Sequence, residues 1–191
     1  MSTAALIGEL KGRLLEVGDP ARSRGAKTYL KSELEFLGVA ARPLREVART
    51  FLDDHPGLGH DQLVALVEGL WATPVYDLRA VAVALLERRV AELSRADLRL
   101  VEELVLRSGT WALVDWLATR VAAPVVEREP ARTKATLRRW SRDENFWLRR
   151  ASILALLPAL RAGEGDFELF AELATPLLGE HEFFIRKAIG W

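Results

Sequence analysis

Two side chains near the middle of the chain are placed to do chemistry. Trp111 and Asp115 stand four residues apart, so they share a face if the segment is helical. Asp115 lies within Leu113-Val-Asp-Trp-Leu117, an otherwise apolar run. A carboxylate in such a run must be solvated, paired or held for use. Beside an aromatic face it could stabilise positive charge developing on a bound ligand. The plain alternative is a structural acid that pairs with an arginine of a neighbouring segment.

A repeated pattern says what should surround this pair. The copies read Arg42-Pro-Leu-Arg45, Tyr76-Asp-Leu-Arg79, Trp111-Ala-Leu-Val114, Phe146-Trp-Leu-Arg149 and Phe183-Phe-Ile-Arg186. They begin 34, 35, 35 and 37 residues apart. That interval is the mark of stacked helical hairpins, each too small to bury its own apolar face. Only the third copy lacks the closing arginine. The slot after the pattern holds Glu46, Ala80, Asp115, Arg150 and Lys187. Equivalent slots of stacked helices lie about 8–10 Å apart. Asp115, Arg150 and Lys187 are therefore expected to form a row on one wall of a solenoid.

Composition narrows the alternatives. The 191 residues carry 27 Lys and Arg against 27 Asp and Glu, so no chain-wide basic field exists. Any nucleic-acid binding must use a local patch. The stretch from Arg128 to Arg150 supplies a candidate, with eight basic residues against three acidic ones. A solvated charged face explains that stretch equally well. With no cysteine, neither a disulfide framework nor a thiolate metal site is possible. His55, His60 and His181 show no metal-ligand spacing, and no cofactor motif is present, so no metal or cofactor is expected. The start of the chain lacks a signal-peptide pattern, and no apolar run approaches the roughly 20 residues of a membrane span. A cytoplasmic protein without a membrane partner is expected.

The elements that must position these residues are legible from apolar spacing. Helices are predicted near 3–17, 22–36, 43–54, 60–72, 75–92, 95–107, 111–122, 130–141, 144–157, 165–177 and 182–191. No stretch alternates with period two. Breaks fall at Gly18-Asp-Pro20, Gly38, His55-Pro-Gly57, Thr73-Pro74, Ser108-Gly-Thr110 and Gly163-Glu-Gly165. Loops this short make successive helices antiparallel neighbours. The expected architecture is all-α: a single helical-repeat domain over 1–191 with a concave, locally basic face. The final segment, Glu182 to Trp191, reads as half of an amphipathic helix, so the array is expected to continue beyond it. Nothing suggests an extra apolar face, and a monomer is expected.

Several stretches together resemble the bacterial AlkD-like DNA alkylation repair family, built of HEAT-like repeats. They are Tyr29-Leu-Lys-Ser-Glu-Leu-Glu-Phe-Leu-Gly38, Leu70-Trp71, Trp111-Ala-Leu-Val-Asp115, Asn145-Phe-Trp-Leu-Arg-Arg-Ala151 and Glu182-Phe-Phe-Ile-Arg-Lys-Ala-Ile-Gly-Trp191. The resemblance implies a DNA glycosylase that hydrolyses the N-glycosidic bond of cationic N-alkylated purines, such as 3-methyladenine and 7-methylguanine, in duplex DNA. It implies that the lesion need not be flipped into a pocket, unlike other glycosylases. Asp115 matches the catalytic aspartate. Trp111 and Trp191 match aromatics flanking the deoxyribose. Arg150 matches an arginine that contacts the DNA backbone, and Tyr29 an aromatic in the N-terminal part of the cleft. Arg149 and Lys187 join the expected DNA-binding set beside them. The chain departs from the family in Thr110 and Ala112, which flank Trp111 where a polar or aromatic pair is common. It departs again in Val39-Ala-Ala-Arg-Pro43, which lacks polar residues to touch DNA. Two other readings compete: a DNA-binding repeat protein without catalysis, and a protein-interaction scaffold.

Overall fold

The structure, a computed structural model, describes residues 1–191. The chain is helical throughout, and its only extended pairing is one isolated parallel bridge between Glu35 and Val75. It divides into two compact units, Met1–Glu92 and Leu93–Trp191.

The first unit holds α1 (Thr3–Glu16), α2 (Pro20–Leu30), α3 (Ala41–Asp54), α4 (His60–Trp71) and α5 (Tyr76–Arg88). Local chemistry sets the helix starts. The Ser2 side chain accepts from the Ala5 N–H, and Asp19 accepts from Ala21 ahead of a first-turn proline. Helix α5 packs on both α3 and α4, and α1 packs on α4. Leu10, Leu14, Phe51, Leu63, Leu66, Leu70, Trp71 and Leu85 meet with no exposure.

One predicted helix is shorter than expected. The segment expected over 22–36 leaves the helix after Leu30, with Lys31 in the left-handed region (φ 47°). Glu35 then donates to the Pro74 carbonyl and accepts from Tyr76, both at 2.8 Å. Asp77, 1 % exposed, accepts the Leu37 and Val39 N–H groups at 2.6 and 2.9 Å. Gly38 turns between them at φ 79°, where an added Cβ would stand 2.1 Å from the Asp19 carbonyl oxygen. The apolar spacing of Leu34 and Leu37 imitates a helix. The buried carboxylate, 40 residues downstream of the first N–H it takes, overrides it.

The second unit is built around α10 (Phe146–Leu154). It packs against α6 (Leu98–Leu106), α7 (Trp111–Trp116), α9 (Pro130–Trp140), α12 (Phe167–Ala174) and α13 (Phe183–Ile189). Leu148, Ala151 and Leu154 of α10 are fully buried. Helix α7 runs on through a π-helical stretch, Leu117–Ala122, into α8 (Ala123–Arg128). Pro124 supplies the cause. It has no N–H to return to Arg120, and its ring would meet that carbonyl in a regular α-turn. The wider turn removes the conflict. A short α11 (Leu157–Arg161) begins beside Pro158, so the helix carrying Arg150 ends where that proline requires.

In two copies, the repeat's closing arginine has a structural role. Arg79 Nε donates to the Thr73 carbonyl at 3.0 Å, and its guanidinium lies over the Trp71 ring. Arg149 donates to the Asp143 and Glu144 carbonyls at 2.7 and 2.8 Å, and pairs with Glu180. Each arginine thus latches the turn just before its own helix. In the third copy Val114 is fully buried and offers no such latch. The Thr110 hydroxyl in that turn is buried without a hydrogen-bond partner.

Candidate functional site

The row expected from the repeat register is present in the second unit. Asp115 on α7 accepts two parallel hydrogen bonds from Arg150 on α10. Arg150 Nε lies 2.6 Å from Oδ1 and Nη2 lies 2.8 Å from Oδ2. This fork-to-fork pairing fixes the carboxylate plane. The two partners differ in access: the Arg150 side chain is 1 % exposed and that of Asp115 is 15 % exposed. A carboxylate has about four acceptor positions, and the guanidinium takes two. Asp115 therefore keeps an open edge. Its own backbone carbonyl accepts from the Thr119 hydroxyl at 2.7 Å, inside the π-helical stretch.

Arg150 also reaches the last helix. Nη1 donates to the Phe184 carbonyl, and the guanidinium lies over the Phe184 and Trp191 rings, 5.8 and 5.1 Å from their centroids. The buried cation thereby ties α7 to α13. Lys187, one slot further along the row, is exposed. Its ammonium stands 5.8 Å from the Trp111 centroid and 5.1 Å from that of Trp191. Trp111, Asp115, Arg150, Lys187 and Trp191 thus make one contiguous cluster drawn from three helices and the second residue after the last of them.

Two residues expected to contact DNA have partners within the protein. Arg150 is buried, and its donors go to Asp115 and Phe184. Arg149 spends its guanidinium on Glu180 and on two carbonyls of its own turn. The structural ion pair weighed in the sequence as an alternative for Asp115 does exist, formed with the next repeat. Tyr29 lies in the other unit, 71 % exposed, beside a 370 Å³ hollow that Arg22, Phe36, Tyr76 and Asp77 help to line.

Of the eight basic residues from Arg128 to Arg150, all but the exposed Arg142 have partners within the protein. Lys134 pairs with Asp166, Arg138 with Glu172, Arg139 with Glu102, Arg149 with Glu180 and Arg150 with Asp115. Arg132 pairs with Glu129, and Arg128 donates to the Leu93 carbonyl. Most of these partners lie about one repeat away, so they are invisible to a local count of charge.

Sequence reasoning missed Phe184 as a member of the cluster. The signal was available, because Phe184 occupies the same repeat slot as Trp147, and their rings lie 5.1 Å apart. It also missed the π-helical stretch, although Pro124 in mid-helix marks it. No group of three or more His, Cys, Asp or Glu residues could hold a metal ion, and no helix is long and apolar enough to cross a membrane.

An all-helical repeat array with an acid and two indoles gathered at one point defines the class of protein. The chain belongs to the DNA alkylation repair enzyme family, whose signature it matches over residues 10–191. Its fold is similar to that of a predicted DNA alkylation repair enzyme from Enterococcus faecalis, with a TM-score of 0.80 at 21 % identity, covering 91 % of this chain and 80 % of that one. No curated protein matches the sequence.

Proposed function

We propose that this family member is a DNA glycosylase that releases cationic N-alkylated purines from duplex DNA, with Asp115 as its catalytic carboxylate. The observation that carries the reading is the Asp115 carboxylate. It is held in one plane by a buried guanidinium, keeps an open edge, and lies in a cluster with two indole rings that already face a cation.

The chemistry follows from charge. Alkylation at a ring nitrogen gives the purine a formal positive charge, so it leaves with the electron pair of the C1′–N bond and becomes neutral without a strong general acid. Positive charge then builds on the deoxyribose, as in other oxocarbenium-like reactions. The open edge of Asp115 stabilises that charge at C1′ and orients a water. The water oxygen bonds to C1′, and its proton passes to the carboxylate or to solvent. Trp111 and Trp191 offer π-faces that favour the cationic sugar. Arg150 acts through Asp115 as a positioning residue, and Lys187 is the exposed cation of the cluster available to a phosphate. Because the leaving group supplies much of the driving force, the lesion need not be enclosed, and base flipping is not obligatory.

Release of 7-methylguanine and 3-methyladenine from alkylated duplex DNA tests the reading, wild type against Asp115→Asn. A loss of about 10²-fold or more is expected. Thermal melting in parallel checks that the altered ion pair leaves the protein folded. Excision by a folded Asp115→Asn protein at the wild-type rate would remove Asp115 from catalysis.

A second reading, a DNA-binding protein without base release, draws on the same ion pair. A carboxylate bound by arginine is also a way to join two repeats. It expects salt-sensitive binding to duplex DNA and no released base from the wild-type protein.

A further inference from the structure

The ammonium of Lys187 faces rings where several other cations of the second unit face carboxylates. Arg138, Arg139 and Arg149 are each answered by a carboxylate across the repeats. Lys187 instead faces two indoles, at 5.8 and 5.1 Å from their centroids, and is exposed. Two π-faces directed at one small cation are what recognises alkylated ammonium groups and cationic heterocycles. The position has the make-up of an organic-cation site beside the protein's own lysine, with Trp191 also carrying the Arg150 guanidinium at 5.1 Å.

Charge at the site strengthens the point. Arg150 neutralises Asp115 through both oxygens. Lys187 therefore leaves the cluster with a net positive charge. That suits an approaching phosphate and opposes a cationic sugar or an alkylated base. The two demands are reconciled if the lysine moves. Its four-carbon stem is flexible, and its exposed ammonium can leave the indoles for an anion nearby.

We propose that Lys187 is a tethered occupant of an organic-cation site formed by Trp111 and Trp191, and that a cationic ligand must displace it. Where that ligand is the sugar of an alkylated nucleotide, the proposal rests on the glycosylase reading; the cation site itself does not. The lysine holds the indoles in place before the ligand arrives. It also sets a threshold that a neutral nucleoside, with less to gain from the π-faces, crosses less readily.

The test uses the full chain and tetramethylammonium as the probe, followed through the indole N–H resonances of Trp111 and Trp191. Lys187→Met removes the charge and keeps most of the stem's bulk; Lys187→Arg keeps the charge. The Met variant is expected to bind tetramethylammonium about threefold or more tightly than wild type, and the Arg variant to bind it as wild type does. Equal affinity in wild type and Lys187→Met overturns the proposal. So does an Arg variant that gains affinity as the Met variant does. Tighter probe binding by Lys187→Met, with no base release from alkylated DNA by any of the three proteins, retires the glycosylase reading and leaves the tethered cation standing.

Discussion

At the scale of residues, the pairing of Asp115 with Arg150 decides what each can do. Arg150 is buried, and its guanidinium holds one carboxylate in a fixed plane. Removing one partner of a buried pair leaves the other uncompensated, at a cost of about 3–5 kcal/mol. Arg150→Met should therefore lower stability by about that amount, measured by urea unfolding. Asp115→Asn should cost less, because its side chain keeps some contact with water. If Arg150 served only to bind phosphate, its loss would leave stability unchanged. In the double variant the two effects should fall short of their sum, since the second substitution removes the group that the first left unpaired.

At the scale of elements, the start of α5 carries a titration of its own. Burial, with a smaller contribution from Asp77, raises the phenol of Tyr76 from 10.0 to about 12. The folded protein thus holds this proton more tightly than the unfolded chain does. The stabilisation is complete below pH 10 and is lost as pH rises through 12, amounting to roughly 3 kcal/mol across that window. Stability measured across this range should fall in wild type, and Tyr76→Phe should remove that part of the slope. Burial likewise raises the Asp77 carboxyl, against the hydrogen bonds from Leu37 and Val39 that favour its charged form. Protonation of Asp77 is thus linked to folding in the same sense: its contribution is present at acid pH and is lost as pH rises through its raised value. The junction between α2 and α3 is held by this buried acid, which is why helical spacing alone misplaces it.

At the scale of the molecule, several acids and bases of the second unit are matched as ion pairs about one repeat apart. Glu102 shows the arrangement: Arg139, then burial acting the other way, then the Trp140 N–H set its carboxyl below the usual range. These groups bind one another in the folded protein. Arg139→Gln is therefore expected to leave duplex-DNA affinity unchanged, with only a small loss of stability. Lys187→Met should weaken DNA binding and reduce the slope of log affinity against log salt by about one, the value for one phosphate contact. A fluorescence-anisotropy titration of labelled duplex DNA at several salt concentrations separates the two. A large loss of affinity in Arg139→Gln would show that the ladder opens to meet DNA.

The sequence by itself determined the helices, the repeat and its register, because apolar spacing, turn residues and a fixed interval act within reach of the chain. The same register foretold that Asp115, Arg150 and Lys187 would stand in a row, and the family membership agrees with the fold. Tertiary structure decided access. Whether a guanidinium faces water or a carboxylate depends on a partner about 35 residues away, as with Arg150 and Asp115, or Arg139 and Glu102. Local composition cannot express that, so the basic stretch left open between a DNA patch and a solvated face carries a set of ion pairs. It also decided the site's remaining cation, because an ammonium between two indoles exists only when helices far apart in sequence bring their rings to one place.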